Sequence, residues 1–235
     1  MSFLGYGIGI VSWLLVMFLL PKIPMVASEE SGDKPGIGEI MTNIKWLVWV
    51  EIAVYFVGNL FATMVTVNLS LFVEGAGLGT PADSGNSLSL QMLGAAVGAF
   101  GYGFLKRKLG YYVIPFAWVL LGLGFMLVGH ADSITVVFAG MIIAGAGVGI
   151  VWPAYCMRVT ELTSPVSQAM AIAIAGALQG FGNFFTPVVG SWLNELFGVN
   201  YGVEMINVDA IVLLVIGVCV FVVAFFARRA VASRT

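Results

Sequence analysis

Between residues 46 and 73, six side chains able to hydrogen-bond, Glu51, Tyr55, Asn59, Thr63, Thr66 and Ser70, recur at spacings of four, four, four, three and four. On a helix they fall within an arc of about 120°, one polar stripe along an otherwise apolar rod. Two readings stand. Thr and Ser can bond their own backbone carbonyls while Asn59 ties two helices together. Alternatively the stripe lines a pathway in which Tyr55, Asn59, Thr63 and Thr66 meet a solute, since a carboxylate and an amide exceed what packing needs. Gln168, Gly176, Gln179, Asn183 and Pro187 form a weaker stripe over 168–193, sharing an arc of about 100° interrupted by Ile172. The amides of Gln179 and Asn183 can serve a polar solute or bond across a helix interface. Over 87–105, Ser87, Gln91, Gly94, Gly98 and Tyr102 share a side. Gln91 is the solute candidate there, and the glycines are packing contacts.

Should these runs prove to be membrane spans that move a solute, coupling to an ion would need a titratable group inside them. Glu51 is the candidate, either as a proton carrier or as a carboxylate snorkelling to the nearby cytoplasmic interface. His130 and Asp209 stand at ends of apolar runs and read as interface residues. Gly140, Gly145, Gly147 and Gly149 with Pro153 make their run deformable, as a gate, or allow close packing. Trp152 and Tyr155 read as interfacial aromatics. Cys156 and Cys219 suggest neither a disulfide framework nor a metal site, and nothing calls for a cofactor. One histidine, with no paired carboxylates, nucleophile elbow or phosphate-binding loop, argues against an enzyme.

The elements that must carry these residues are membrane helices. Hydrophobic residues make up 60% of the 235 and charged ones 9%, against about 25% charged in an ordinary soluble domain. A hydrocarbon core of about 30 Å needs roughly 20 apolar residues of helix. Seven runs qualify, at about 2–20, 46–73, 87–105, 111–129, 134–156, 168–193 and 207–227. All ten Lys and Arg fall in alternate connections: Lys22, Lys34 and Lys45; Lys106, Arg107 and Lys108; Arg158; and Arg228, Arg229 and Arg234. The positive-inside rule then predicts an all-α polytopic protein of the cytoplasmic (plasma) membrane, N-terminus outside and C-terminus inside. The expected division is a span at 1–20, a cytoplasmic loop at 21–45, a six-helix bundle at 46–228 and a tail at 229–235. A net charge of −2 implies no nucleic-acid partner; the partners expected are membrane lipid and a small-molecule solute.

The connection after the third span reads Gly103-Phe-Leu-Lys-Arg-Lys-Leu-Gly110-Tyr-Tyr112. It resembles the second copy of the major facilitator signature, G-x-L-x-D-[RK]-x-G-[RK]-[RK]. Gly103, Leu105, Lys108 and Gly110 match in register; Arg107 stands at the Asp position, and Tyr111 and Tyr112 replace the final basic pair. Gly145 to Pro153 and Gly180 to Gly190 are similar to helices ten and eleven of many bacterial members. The resemblance implies the C-terminal half of such a transporter, its helices six to twelve, working by alternating access with a missing N-terminal half or a second copy. It also implies a cytoplasmic gating loop at Gly103–Gly110, with the spans at 111–129 and 207–227 facing lipid. Scarce buried basic residues argue against an organic phosphate or dicarboxylate as solute. A retinal protein would need a lysine in its last span, which this chain lacks. The remaining rival is a non-transporting scaffold or regulatory half-transporter that binds a partner protein.

Overall fold

The computed structural model describes residues 37–42, 44–198 and 203–232. The expected span at 1–20 and most of the loop at 21–45 lie outside these. Every element among the described residues is helical. A short helix, α1 (Ile37–Thr42), precedes α2 (Trp46–Gly75), α3 (Pro81–Leu109), a 3₁₀ turn (Gly110–Tyr112), α4 (Val113–Gly129), α5 (Ile134–Leu162), α6 (Pro165–Phe197) and α7 (Val203–Ala232). Five stretches are long and apolar enough to cross a membrane: Trp46–Gly75, Pro81–Gly129, Ile134–Leu162, Ser167–Leu196 and Glu204–Phe225. The second has 49 residues and contains both α3 and α4. As one straight helix it would reach about 73 Å, more than twice a hydrocarbon core of about 30 Å. It breaks at Gly110, whose φ of 57° a residue with a Cβ rarely adopts.

The helices outrun the apolar segments because polar residues extend them. At the start of α3 the Asp83 carboxylate accepts hydrogen bonds from the Thr80 backbone N–H (2.8 Å) and hydroxyl (2.7 Å), with Pro81 as the first helical residue. This closure begins the helix six residues ahead of the expected 87. At the far end of α6, Gly198 turns left-handed (φ 63°) and donates its N–H to the Asn194 carbonyl at 2.8 Å. The α7 backbone runs through Arg228 and Arg229 to Ala232, most of the segment expected as a tail; its Ala-Arg-Arg-Ala sequence favours helix.

The core is a packed unit of α3, α4 and α5, with α7 against α4 and α2. Glycine makes this closeness possible. A Cβ on Gly94 or Gly98 would fall on the carbonyls of Ile142 or Ala146 in α5, and one on Gly145 or Gly149 on those of Gln91 or Ala95 in α3. A Cβ on Gly147 would likewise come within 2.9 Å of the Ala117 carbonyl and 2.7 Å of the Leu121 nitrogen of α4. Backbones close enough to leave no room for a Cβ gain dispersion contacts, the main source of helix association where lipid is as apolar as the side chains. The α4 span, expected to face lipid, buries nine residues against its neighbours, among them Trp118 and Phe125, and exposes Phe116, Leu123 and Leu127.

Candidate functional site

Helices α2 and α6 meet along a seam made of amides and hydroxyls. Asn59 Nδ2 donates to Asn183 Oδ1 at 2.9 Å, and the Thr63 hydroxyl donates to the same oxygen at 2.9 Å. Gln179 Nε2 donates to Asn59 Oδ1 at 3.2 Å. Two stripes read separately in the sequence thus converge, with residues 59 and 63 one turn apart on α2 facing 179 and 183 one turn apart on α6. The group is partly open, since Asn183 is exposed while Asn59, Thr63 and Gln179 are half-buried. It is neutral and holds donors and acceptors together, which suits hydroxyl or amide groups on a solute.

The rest of the α2 stripe divides. The Thr66 hydroxyl donates to the Thr63 carbonyl at 2.8 Å, a bond within its own helix, and Ser70 donates to Glu74 at 2.8 Å. Tyr55 is buried and stacks on Tyr155 of α5, ring centroids 4.5 Å apart, with Trp152 at 5.5 Å. Tyr155, read as an interfacial aromatic, is therefore a core residue. It shares a helix face with Val151 and Val159, both buried. Glu51, Tyr55, Trp118 and Tyr155 line a small cavity, with room for about one water, near the expected cytoplasmic end.

Gln91 does not join the amide group. It is buried on the α3 face that meets α5, and its Oε1 accepts no hydrogen bond. Gly145, Gly147 and Gly149 are the packing contacts described above, and α5 continues as one helix through Pro153.

A charge network gathers the expected cytoplasmic ends. Glu51 Oε1 lies 3.4 Å from Arg158 Nε; Arg158 Nη1 lies 3.7 Å from Glu161, and Lys106 Nζ 3.0 Å from the same carboxylate. Arg158 also sits over the Tyr111 ring at 5.3 Å. The stretch expected as a gating loop is not one: Gly103–Leu109 forms the last turns of α3 and only Gly110 lies in the turn; it enters the network through Lys106, while Arg107 and Lys108 are exposed and Lys108 covers Phe104 at 4.7 Å. Leu105 packs on the core, whereas nothing approaches within 4 Å of where a Cβ on Gly103 would be. Partly exposed pairs of this kind contribute about 0–1 kcal/mol each, so they set geometry more than stability.

Two residues escaped the sequence reading. Glu161 ties two helix ends together, and only its position three residues after Arg158 hints at it. Asp209, taken for an interface residue, has no exposed surface. The sequence places it near a helix start, but the face it occupies turns inward.

Residues 52–235 match the Major Facilitator Superfamily, and the chain belongs to that family of membrane transporters. Among curated relatives it is similar to the "MFS-type transporter patC" of Penicillium expansum, 26% identical over 181 residues, covering 74% of this chain and 32% of that protein. It is also similar to the "Efflux pump patC" of Aspergillus clavatus, 24% identical over 177 residues, 69% of this chain and 30% of the relative. The chain spans about a third of the length of these relatives.

Proposed function

We propose that this bundle is the C-terminal part of a secondary transporter that moves a small polar or amphipathic solute by alternating access, and that the Asn59–Thr63–Gln179–Asn183 group touches that solute. The observation that carries the reading is the open, uncharged hydrogen-bonding group on the α2–α6 seam. Asn59, Thr63 and Gln179 already donate to amide oxygens within the group, so a solute oxygen that accepts from one of them replaces a bond rather than leaving one unmade. The Asn183 amide nitrogen, on the exposed side, is the first to be reached. Arg158 and Lys106 are engaged with carboxylates at the end of the bundle, consistent with a neutral solute. In this reading the charge network marks the cytoplasmic side and closes the pathway there, and a second bundle, from an N-terminal half or another copy, supplies the opposite wall. The relative named as an efflux pump favours export as the direction.

The test is flux in proteoliposomes holding the native full-length protein, against sugars, polyols, neutral amides and carboxylates. Saturable movement of a neutral hydroxylated or amide solute, lost in Asn59→Ala and Asn183→Ala while both variants remain folded, supports the site. Wild-type flux in both variants would remove the seam from the pathway. Folded protein with no flux of any solute would favour the scaffold reading.

A further inference from the structure

Three helices each bring two side chains, one turn apart, to the small cavity at the expected cytoplasmic end: Glu51 and Tyr55 from α2, Ile114 and Trp118 from α4, Val151 and Tyr155 from α5. Residues four apart share a helix face, so three faces close on one small volume. Its walls are mostly apolar, and the polar groups brought to it are the Glu51 carboxylate and the phenols of Tyr55 and Tyr155. Tyr155 is 4% exposed, and its hydroxyl makes no hydrogen bond to any protein group. That hydroxyl lies close enough to Glu51 to feel its charge. It cannot swing to a partner elsewhere, because its ring is held by Tyr55 at 4.5 Å and Trp152 at 6.1 Å.

Arg158 answers only part of Glu51. Its Nε reaches Oε1 at 3.4 Å, longer than the distance of about 2.7–2.9 Å usual for a charge-assisted bond. A carboxylate has about four acceptor positions, so capacity remains. A buried water needs its own volume of space and about two to four polar partners. The cavity offers that space, and its two facing groups have opposite needs: the Tyr155 hydroxyl has a proton to donate, and the Glu51 carboxylate can only accept. A water meets both. An apolar occupant would leave the hydroxyl unpaired at the full cost of its desolvation. A cation would crowd Arg158, which already faces the same carboxylate.

We propose that this cavity is a binding site for a single water, which accepts a hydrogen bond from Tyr155 and donates one to Glu51, and that Tyr155 is thereby a positioning residue for the Glu51–Arg158 ion pair. Residues 155 and 158, three apart on α5, then both reach Glu51, one through the water and one directly. The two ties share one carboxylate, so parting α2 from α5 at this end breaks both together. The aromatic stack beneath holds the phenol at the place the water requires. The site depends neither on a solute nor on the direction of transport.

Hydroxyl-radical footprinting with X-ray pulses, read by mass spectrometry on the native full-length protein in lipid nanodiscs, detects a water held beside a buried ring. We expect Tyr155 to be oxidised several-fold faster than Phe72 and Phe125, rings as deeply buried that do not line the cavity. Val54→Ile puts a further methyl group into the cavity and should bring Tyr155 oxidation down to the rate of those controls. Tyr155→Phe supplies a sign. Loss of a hydroxyl bonded to water lowers the thermal midpoint, whereas removal of an unpaired buried hydroxyl raises it. The infrared carboxylate stretch of Glu51, assigned by its loss in Glu51→Gln, should shift alike in Tyr155→Phe and Val54→Ile, which a purely packing role for the ring would not produce. Should Tyr155→Phe not fold, the wild-type footprint and Val54→Ile decide the matter. Tyr155 oxidation at the control rate, a higher midpoint in Tyr155→Phe, or an unshifted Glu51 band would each overturn the proposal. So would a midpoint raised by sodium or ammonium chloride over choline chloride in wild type but not in Val54→Ile, which would make the occupant a cation. Failure of the amide seam as a solute site would leave all of these measurements unchanged.

Discussion

The seam between α3 and α5 and the seam between α2 and α6 hold their helices by opposite means. Along the first, Gly94, Gly98, Gly145 and Gly149 bring two backbones so close that no Cβ fits on either side. Along the second, three side-chain hydrogen bonds among Asn59, Thr63, Gln179 and Asn183 span a gap that is partly open, and α6 is the least buried of the spanning stretches. Close backbone packing is bistable at best and resists gradual separation, whereas hydrogen bonds in an open seam can be exchanged for bonds to a solute. On the proposed reading the contrast divides the bundle into a closely packed part and a part that responds to a ligand.

The sharpest way to break this contrast is Gly145→Ala. Its new methyl group would meet the Gln91 carbonyl, and overpacking of this kind costs about 1–3 kcal/mol. A thermal or denaturant midpoint in detergent should fall clearly; an unchanged midpoint would mean the seam gives more easily than its geometry implies. A smaller loss, about 0.6–2 kcal/mol, is expected for Asn59→Ala, the range found for hydrogen bonds between membrane helices. A cost as large as that of Gly145→Ala would make the amide group structural glue. The least effect belongs to Gly180→Ala on α6, where nothing lies within 4 Å of the added atom. Surface changes of this sort stay within about 0.5 kcal/mol, and a larger drop would show that α6 is more tightly held than it is in this structure.

Much of this could be read from the residues. Hydropathy located the spans among the described residues, the four-residue spacing of Asn59 and Thr63 defined a face, and Gln179 and Asn183 fell on a second face that meets it. What the sequence could not supply is which face meets which neighbour. Gln91 shares a stripe with Gly94 and Gly98, and those glycines let α5 close over it, removing it from the open seam. Tyr155 and Asp209 were assigned by distance from a helix end, but depth in the membrane and depth in the protein are separate coordinates. The helix ends were missed for a related reason: Thr80, Pro81 and Asp83 interrupt the apolar pattern while starting the helix.

The most direct measurement is the labelling of single cysteines in the native full-length protein, after replacement of Cys156 and Cys219, with a maleimide that does not cross the membrane. A cysteine at position 183 should react from the cytoplasmic side and from the opposite side, slowed from both by a transported solute, while a cysteine at position 91 should react from neither. Reaction at position 183 from one side only, or equal reaction at both positions, would contradict an open α2–α6 seam that serves a pathway beside a closed α3–α5 core.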